Sequence, residues 1–388
     1  MTSTSDETNF YRTAELSRLM APADANVAGN VHGGKIMQML EESACVAASR
    51  FFNHFPEVNG GNCHVKVLTA RVESITFQQP LHVGDVAKVK AQVVFASEHT
   101  VAVAVKLMAQ RISSKEDQVG NRALLWVVGH LDEDGNNNDA MERDHLGIAR
   151  VKGTLDPSSF CRAKAPKLDP PKDDKEALMG YKLASMAYNQ RKASKEENRA
   201  PLPDSDSEVM KEESNNTPSN ETEAFSPEDS EVELAQVMLP ADCVTGAGLV
   251  RGGVVMLLAD NCAGVCCVRH CGTNVVTVSV DAMDLVAPVL LGDVLRVRAR
   301  PLFTSSKSIE VEVKVIAERF ALKDGKFQRQ EIVAIKQAYF SFVSLDTSGK
   351  VLHMRPLLPK TEEDKKCFLE GKERYEQRKA LRTSGAMK

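Results

Sequence analysis

The sequence predicts an α+β fold built twice, each copy one buried helix followed by the strands of a long antiparallel sheet that wraps it. Three observations carry this. First, a pattern is stated twice: Gly29-Asn30-Val31-His32-Gly33-Gly34 precedes an apolar run and then Glu41, and Gly248-Leu249-Val250-Arg251-Gly252-Gly253 precedes a similar run and then Asp260 at the same distance. Second, further matches keep that order. Leu81-His82-Val83-Gly84-Asp85 answers Leu290-Leu291-Gly292-Asp293, and Phe95 to Val101 answers Phe303 to Ile309. Third, each glycine pair leads into a long proline-free apolar run, and each run is followed by segments rich in β-branched residues. Matches in fixed order over more than a hundred residues mean a duplicated domain.

The elements follow in order. Gly33 to Phe52 is Ala/Met-rich without internal proline, so it reads as a buried helix. Val65–Thr76, Val86–Ala96, Val101–Ala109 and Ala123–Val128 read as strands; Val86, Lys88, Lys90 and Gln92 face away from Ala87, Val89, Ala91 and Val93. The second copy repeats this with Val275–Val280, Val294–Phe303, Ile309–Ala317 and Ile332–Leu345. Between the copies, Pro166 to Glu197 is charged and helical in its later part. Ala200 to Ser230 is Ser/Glu/Asp/Asn/Pro-rich and too poor in apolar residues to fold, a flexible acidic linker. Tyr188-Asn189-Gln190-Arg191-Lys192-Ala193 echoes Tyr375-Glu376-Gln377-Arg378-Lys379-Ala380, so each copy ends in a charged helix, read as a solvated surface helix. The expected division is 1–150, a first domain; 151–230, charged helix and linker; 231–350, a second domain; and 351–388, a C-terminal charged helix.

Composition narrows the function. The chain has 388 residues and a net charge of −4 with no dominant basic block, which argues against nucleic acid as a partner. No apolar stretch is read as reaching the ~20 residues that span a bilayer, so membrane insertion is not expected. Asp6, Glu7 and Glu15 make the first residues unlike a signal or transit peptide, which leaves the cytoplasm as the expected compartment. Nine scattered cysteines read as reduced thiols rather than a disulfide framework.

The chemistry gathers at the repeated motif. A Gly-Gly pair opening a helix permits close approach of a ligand and leaves N–H groups pointing at the helix start, where a developing oxyanion is stabilised. Asp260 falls two turns into the second helix. A carboxylate there can activate a water as general base or attack as a nucleophile, and Asn30 can orient the carbonyl or the water. If each site takes the glycine loop of one copy and the carboxylate of the other, one pairs Asn30, Gly33 and Gly34 with Asp260, and the other pairs Leu249, Gly252 and Gly253 with Glu41. Leu249 has no hydrogen-bonding group, so the expectation is one working site and one degenerate site. His32 is matched by Arg251 and reads as a polar neighbour of the glycine loop that helps position substrate, not as a shared proton carrier. Cys262, Cys266, Cys267, His270 and Cys271 suggest a metal site at first. Their counterparts Ser43, Ala47, Ala48, Phe51 and Phe52 cannot bind metal, so the cysteines read as small core residues and no metal is expected. No Walker loop, His-Glu-x-x-His, G-x-G-x-x-G or G-x-S-x-G is present.

Asp24-Ala25-Asn26-Val27-Ala28-Gly29-Asn30-Val31-His32-Gly33-Gly34, with Thr304-Ser305-Ser306-Lys307-Ser308 and Glu362-Glu363-Asp364-Lys365-Lys366, closely resembles the tandem-hotdog cytosolic acyl-CoA thioesterases, the brain-type long-chain acyl-CoA hydrolases. The resemblance covers both copies and the tail, with the acidic linker outside it. It implies two tandem hotdog domains that hydrolyse fatty acyl-CoA to free acid and CoA without a cofactor. It also implies a catalytic pair falling on Asn30 and Asp260, and a homotrimer of two-domain chains, six hotdog domains in all. Two departures stand out: the second loop, Asp242 to Gly252, is one residue longer, and Arg251 replaces a histidine. The resemblance places Ser97–Thr100 and Ser305–Ser308 near bound CoA, which makes Ser305 and Lys307 candidate phosphate contacts, and Arg251, at the departure in the second loop, is a further candidate. Two rivals remain in view. A non-catalytic acyl-CoA sensor would bind substrate without releasing thiol. A hotdog hydratase needs an Asp and a His five residues apart on one helix, and Asp260 is followed at that distance by Val265.

Overall fold

The computed structural model describes residues 10–27, 29–61, 64–73, 75–111, 117–131, 141–143, 149–151, 162–171, 174–197, 225–244, 248–323 and 326–383. The expected linker lies largely outside these residues, with 225–230 its described end.

The first copy contains β1 (Thr13–Leu19), α1 (Gly33–His54), β2 (Val65–Val72), β3 (Ile75–Phe77), β4 (Val86–Ala96), β5 (Thr100–Gln110) and β6 (Asp117–Leu131). A short pair, β7 (Met141–Arg143) and β8 (Ala149–Val151), and then α2 (Lys175–Glu197) follow. The second copy contains β9 (Val232–Val237), α3 (Gly252–Cys271), β10 (Asn274–Val280), β11 (Met283–Asp284), β12 (Val294–Thr304), β13 (Ser308–Lys323) and β14 (Lys326–Leu345), closed by α4 (Glu362–Thr383). Among the described residues the two copies share one 12-stranded antiparallel sheet ordered β1-β4-β5-β6-β3-β10-β14-β13-β12-β9, with β2 and β11 attached at the seam. Pairing of β3 with β10 and of β2 with β11 joins the copies.

Each helix lies in the cup of its own strands. Met37, Leu40, Phe51 and Phe52 of α1 are fully buried, and each such side chain contributes ~1.5–3 kcal/mol by leaving water. The cysteines of α3 pack the same way. Cys262, Cys266 and Cys267 are buried in the core, and burial pushes the Cys262 thiol up to about 11. His270, from the same cluster, is buried between the Ser230 hydroxyl at 3.1 Å and the Arg355 carbonyl at 3.0 Å.

Three expectations change. The helix Gly252–Cys271 is, with 20 residues, long and apolar enough by composition to cross a membrane, contrary to the reading that no stretch is. Here it is the core helix of the second copy, with Asp260 fully buried inside the fold. The two edge strands, β1 and β9, were not expected, because their exposed faces hide the alternation that marks a half-buried strand. The charged helices are not free in solvent. An α-carbon-level approach explains why: a Cβ on Gly180 of α2 would meet Val94 at 3.1 Å, and one on Gly371 of α4 would meet Phe303 at 2.7 Å. Arg191 of α2 bonds Glu73, and Arg378 of α4 bonds Asp281 in the corresponding place.

Candidate active site

Both glycine loops are folded alike. Asp24 accepts from the Ala21 N–H at 3.0 Å and Asp242 accepts from the Leu239 N–H at 2.8 Å, which closes a short turn before each helix. Gly29 (φ 82°) and Gly248 (φ 60°) then take the left-handed backbone that reverses the chain into the helix start. Asn30 and Leu249 form matching bridges, to His82 and to Leu290. His32 and Arg251 occupy the N-cap positions of α1 and α3.

The helices cross so closely that each glycine pair touches the other copy. A Cβ on Gly33 would stand 2.8 Å from the Thr277 hydroxyl and 3.1 Å from Asp260 Oδ2, and one on Gly34 would meet the Leu257 backbone at 3.0 Å. Across the pseudo-twofold, a Cβ on Gly252 would stand 3.3 Å from Glu41 Oε1, and one on Gly253 would stand 3.1 Å from Glu41 Oε2. The expected cross-pairing of one copy's glycines with the other copy's carboxylate is thus the arrangement observed.

The two carboxylates differ in what surrounds them. Asp260 is 0% exposed. Its Oδ2 accepts from the Gly34 N–H at 2.7 Å and lies 3.0 Å from His32 Nδ1, and its Oδ1 accepts from the Thr277 hydroxyl at 2.9 Å. Two lone pairs at 3.0 Å repel, so the His32–Asp260 contact is a hydrogen bond only with the proton on Nδ1. That assignment leaves the Gly34 N–H to Asp260, its nearer acceptor, rather than to Nδ1 at 3.1 Å. Burial works to lower the His32 pKa, but the hydrogen bond and charge of Asp260 outweigh it, and the pKa is raised. Among the described residues the Gly33 N–H has no acceptor, so of the two glycines Gly33 presents a free donor and Gly34 holds the carboxylate.

Glu41, 2% exposed, accepts from the Thr69 hydroxyl at 2.9 Å and from the Cys45 thiol at 3.4 Å. Burial raises its pKa, against the hydrogen bonds of Thr69, Cys45 and the Gly253 N–H. Arg251 does not reach it; the guanidinium bonds Glu42 at 2.9 Å and the Ala241 carbonyl at 3.0 Å. Leu249 is 2% exposed and packs on Leu290, with Leu68 and Val244 beside them.

Asn30 sits in the loop beside this centre but makes none of the hydrogen bonds that hold Asp260. Its backbone is clasped by Asn26, whose N–H donates to the Asn30 carbonyl at 2.7 Å and whose Oδ1 accepts the Asn30 N–H at 3.1 Å. Asn26 and Thr277 are the residues that sequence reasoning passed over. Thr277 was findable, since Val67-Leu68-Thr69 and Val275-Val276-Thr277 hold matching strand positions. The candidate CoA contacts stand elsewhere in the second copy. Ser305 Oγ caps its own turn, accepting from the Ser308 N–H at 3.0 Å, and Lys307 is exposed at the tip of the β12–β13 hairpin.

Comparison with known proteins places the chain among relatives. The family model described as the thioesterase superfamily matches residues 28–114 and 247–319, once in each copy. The chain is 33% identical over 379 residues to the cytosolic acyl coenzyme A thioester hydrolase of Mus musculus, covering 97% of this chain and 86% of that one. It is 34% identical over 371 residues to its Homo sapiens namesake, covering 95% and 84%. Among solved structures it is similar to an acyl-CoA hydrolase from Staphylococcus aureus in complex with butyryl coenzyme A and coenzyme A, at 27% identity and a TM-score of 0.35, covering 42% of this chain and 92% of that one.

Proposed function

We propose, from the premise that the chain belongs to the cytosolic acyl-CoA thioester hydrolases of the thioesterase superfamily, that it hydrolyses its substrate at one site, where the first copy's glycine turn meets Asp260 of the second. It is an acyl-CoA thioester hydrolase of two tandem hotdog units. The observation that supports a site at this junction is the 2.7 Å bond from the Gly34 N–H to Asp260 Oδ2, between residues 226 positions apart.

In this reading the thioester carbonyl lies at the start of α1, where the Gly33 N–H and the helix dipole receive the charge that develops on oxygen. A donor of this kind is worth ~3 kcal/mol of barrier. Asp260 supplies the basic charge that activates the attacking water, and the amide of Asn30 orients the reacting group. Asn26 closes the same turn, and its side-chain NH2 is uncommitted among the described residues, so the turn offers two amides. The Glu41 site is degenerate: its carboxyl is raised by burial, its loop amide is replaced by the buried Leu249, and its capping Arg251 is turned to Glu42. Ser305, Lys307 and Arg251 remain the candidate contacts to the CoA phosphates.

The substrates are medium- to long-chain fatty acyl-CoAs, the compartment is the cytoplasm, and three chains assemble into a homotrimer of six hotdog units, with domains at 1–150 and 231–350. Release of free thiol from palmitoyl-CoA, followed with a thiol reagent across a chain-length series, tests the substrate class. Binding without thiol release would favour a sensor. Parallel assays of Asn26→Ala and Asn30→Ala show which amide orients the reactants: a collapse of kcat marks it, and wild-type rates in both would remove the amide from the mechanism.

A further inference from the structure

The charge that activates water and the atom that touches it are separate in this site. Asp260 is fully buried and both of its oxygens are committed, Oδ2 to Gly34 and His32 and Oδ1 to Thr277. His32 is different. Its ring is 27% exposed, Nδ1 is taken by Asp260, and no described residue takes Nε2. Resting on the site reading above, we propose that His32 Nε2 is the atom that removes the proton from the attacking water, with Asp260 behind it as the group that fixes its tautomer and stabilises the imidazolium.

The construction is a carboxylate–imidazole pair of the type that serves acyl transfer elsewhere, recognised by geometry and roles rather than sequence position. With Nδ1–H donated to Asp260, the lone pair of the neutral ring lies on Nε2. The water oxygen bonds to the thioester carbon as its proton passes to Nε2, and the carbonyl π pair moves onto oxygen at the Gly33 N–H. The intermediate then collapses: the C–S bond breaks with its electron pair going to sulfur, and the proton on Nε2 is delivered to that sulfur. One water is consumed, one carboxylic acid and one thiol are formed, and His32 returns to its starting tautomer.

The charged groups that act on the ring are Asp260 from α3, which raises its pKa, and Lys35 from its own helix, which lowers it. β10 contributes only the neutral Thr277 hydroxyl, and Asp24, whose carbonyl accepts the His32 N–H, is paired with Arg18. The balance raises the pKa of the ring above its ordinary value, which strengthens it as a base. The duplicate differs at this position. Arg251 occupies the same cap position, cannot give up a proton, and is held by Glu42.

The test is the pH profile of kcat/KM and the behaviour of His32→Asn on palmitoyl-CoA. Wild-type activity is expected to fall as pH drops through a pKa above ~6.5, because protonated Nε2 cannot accept. His32→Asn is expected to lose roughly 10²-fold or more in kcat with little change in KM, and to lose that acid limb. A wild-type acid limb in the ordinary carboxylate range, near ~4, overturns the proposal without any variant. So does a His32→Asn enzyme that keeps both rate and limb. Asp260→Asn separates the two readings: if it is inactive while His32→Asn is active, only the histidine's role falls, and if it is fully active, the site itself falls.

Discussion

Thr277 and Thr69 show how one residue type can hold both carboxylates and yet leave them unequal. Each donates its hydroxyl at 2.9 Å, Thr277 to Asp260 and Thr69 to Glu41. A hydrogen bond to a charged group contributes ~1.5–3 kcal/mol, so Thr277→Val is expected to lower kcat by roughly 10-fold or more while Thr69→Val leaves turnover near wild type. Steady-state kinetics on one acyl-CoA check this, and matching losses in the two variants would contradict it. His270 makes a prediction about stability instead. Burial lowers its pKa, so the folded state holds the proton less tightly than the unfolded chain. The stability this contributes is present in full above the unfolded pKa of ~6.5 and is lost as pH falls through the lower folded value. The Tm advantage of wild type over His270→Asn should therefore narrow between about pH 7 and about pH 5. An advantage that holds or widens would place the charged form in the core.

At the scale of the element, the terminal helix α4 is the clearest case of a structure that charge alone conceals. Glu310 is buried, and it accepts from Arg374 at 2.7 Å and from Arg378 at 2.5 Å, while Arg374 also stacks on Tyr339 at 3.8 Å. Removing one partner of such a buried cluster leaves charge uncompensated and costs ~3–5 kcal/mol. Glu310→Ala is accordingly expected to destabilise the fold by about that much and to expose α4 to protease; unchanged urea unfolding would refute the clamp. The sequence displays the arginines of this helix but not their destination, because Glu310 sits on a strand whose outward face reads as solvent. The same limit explains the edge strands β1 and β9, which bury too little to alternate. The central strands were legible for the opposite reason: Val86–Ala96, buried on alternate residues, occupies the range its pattern predicts. At the site, the duplicated Gly-Gly and the paired Glu41 and Asp260 were legible because they repeat. Thr277 and Asn26 were not singled out, since a threonine in a strand and an asparagine in a turn are ordinary residues there.

Over the whole molecule, duplication explains how one chain can divide its labour. The two copies pair α1 with α3 across a pseudo-twofold, which builds two equivalent junctions from one ancestral motif. Within one chain the junctions can diverge separately, and they have: Asn30 against Leu249, His32 against Arg251, Asp260 against Glu41. The loop and the carboxylate of the Asp260 junction belong to the same chain. The most direct measurement is therefore turnover of palmitoyl-CoA by Asp260→Ala beside Glu41→Ala, both confirmed as folded. The account predicts that thiol release is abolished by the first and largely retained by the second; equal losses, or a fully active Asp260→Ala, would contradict it.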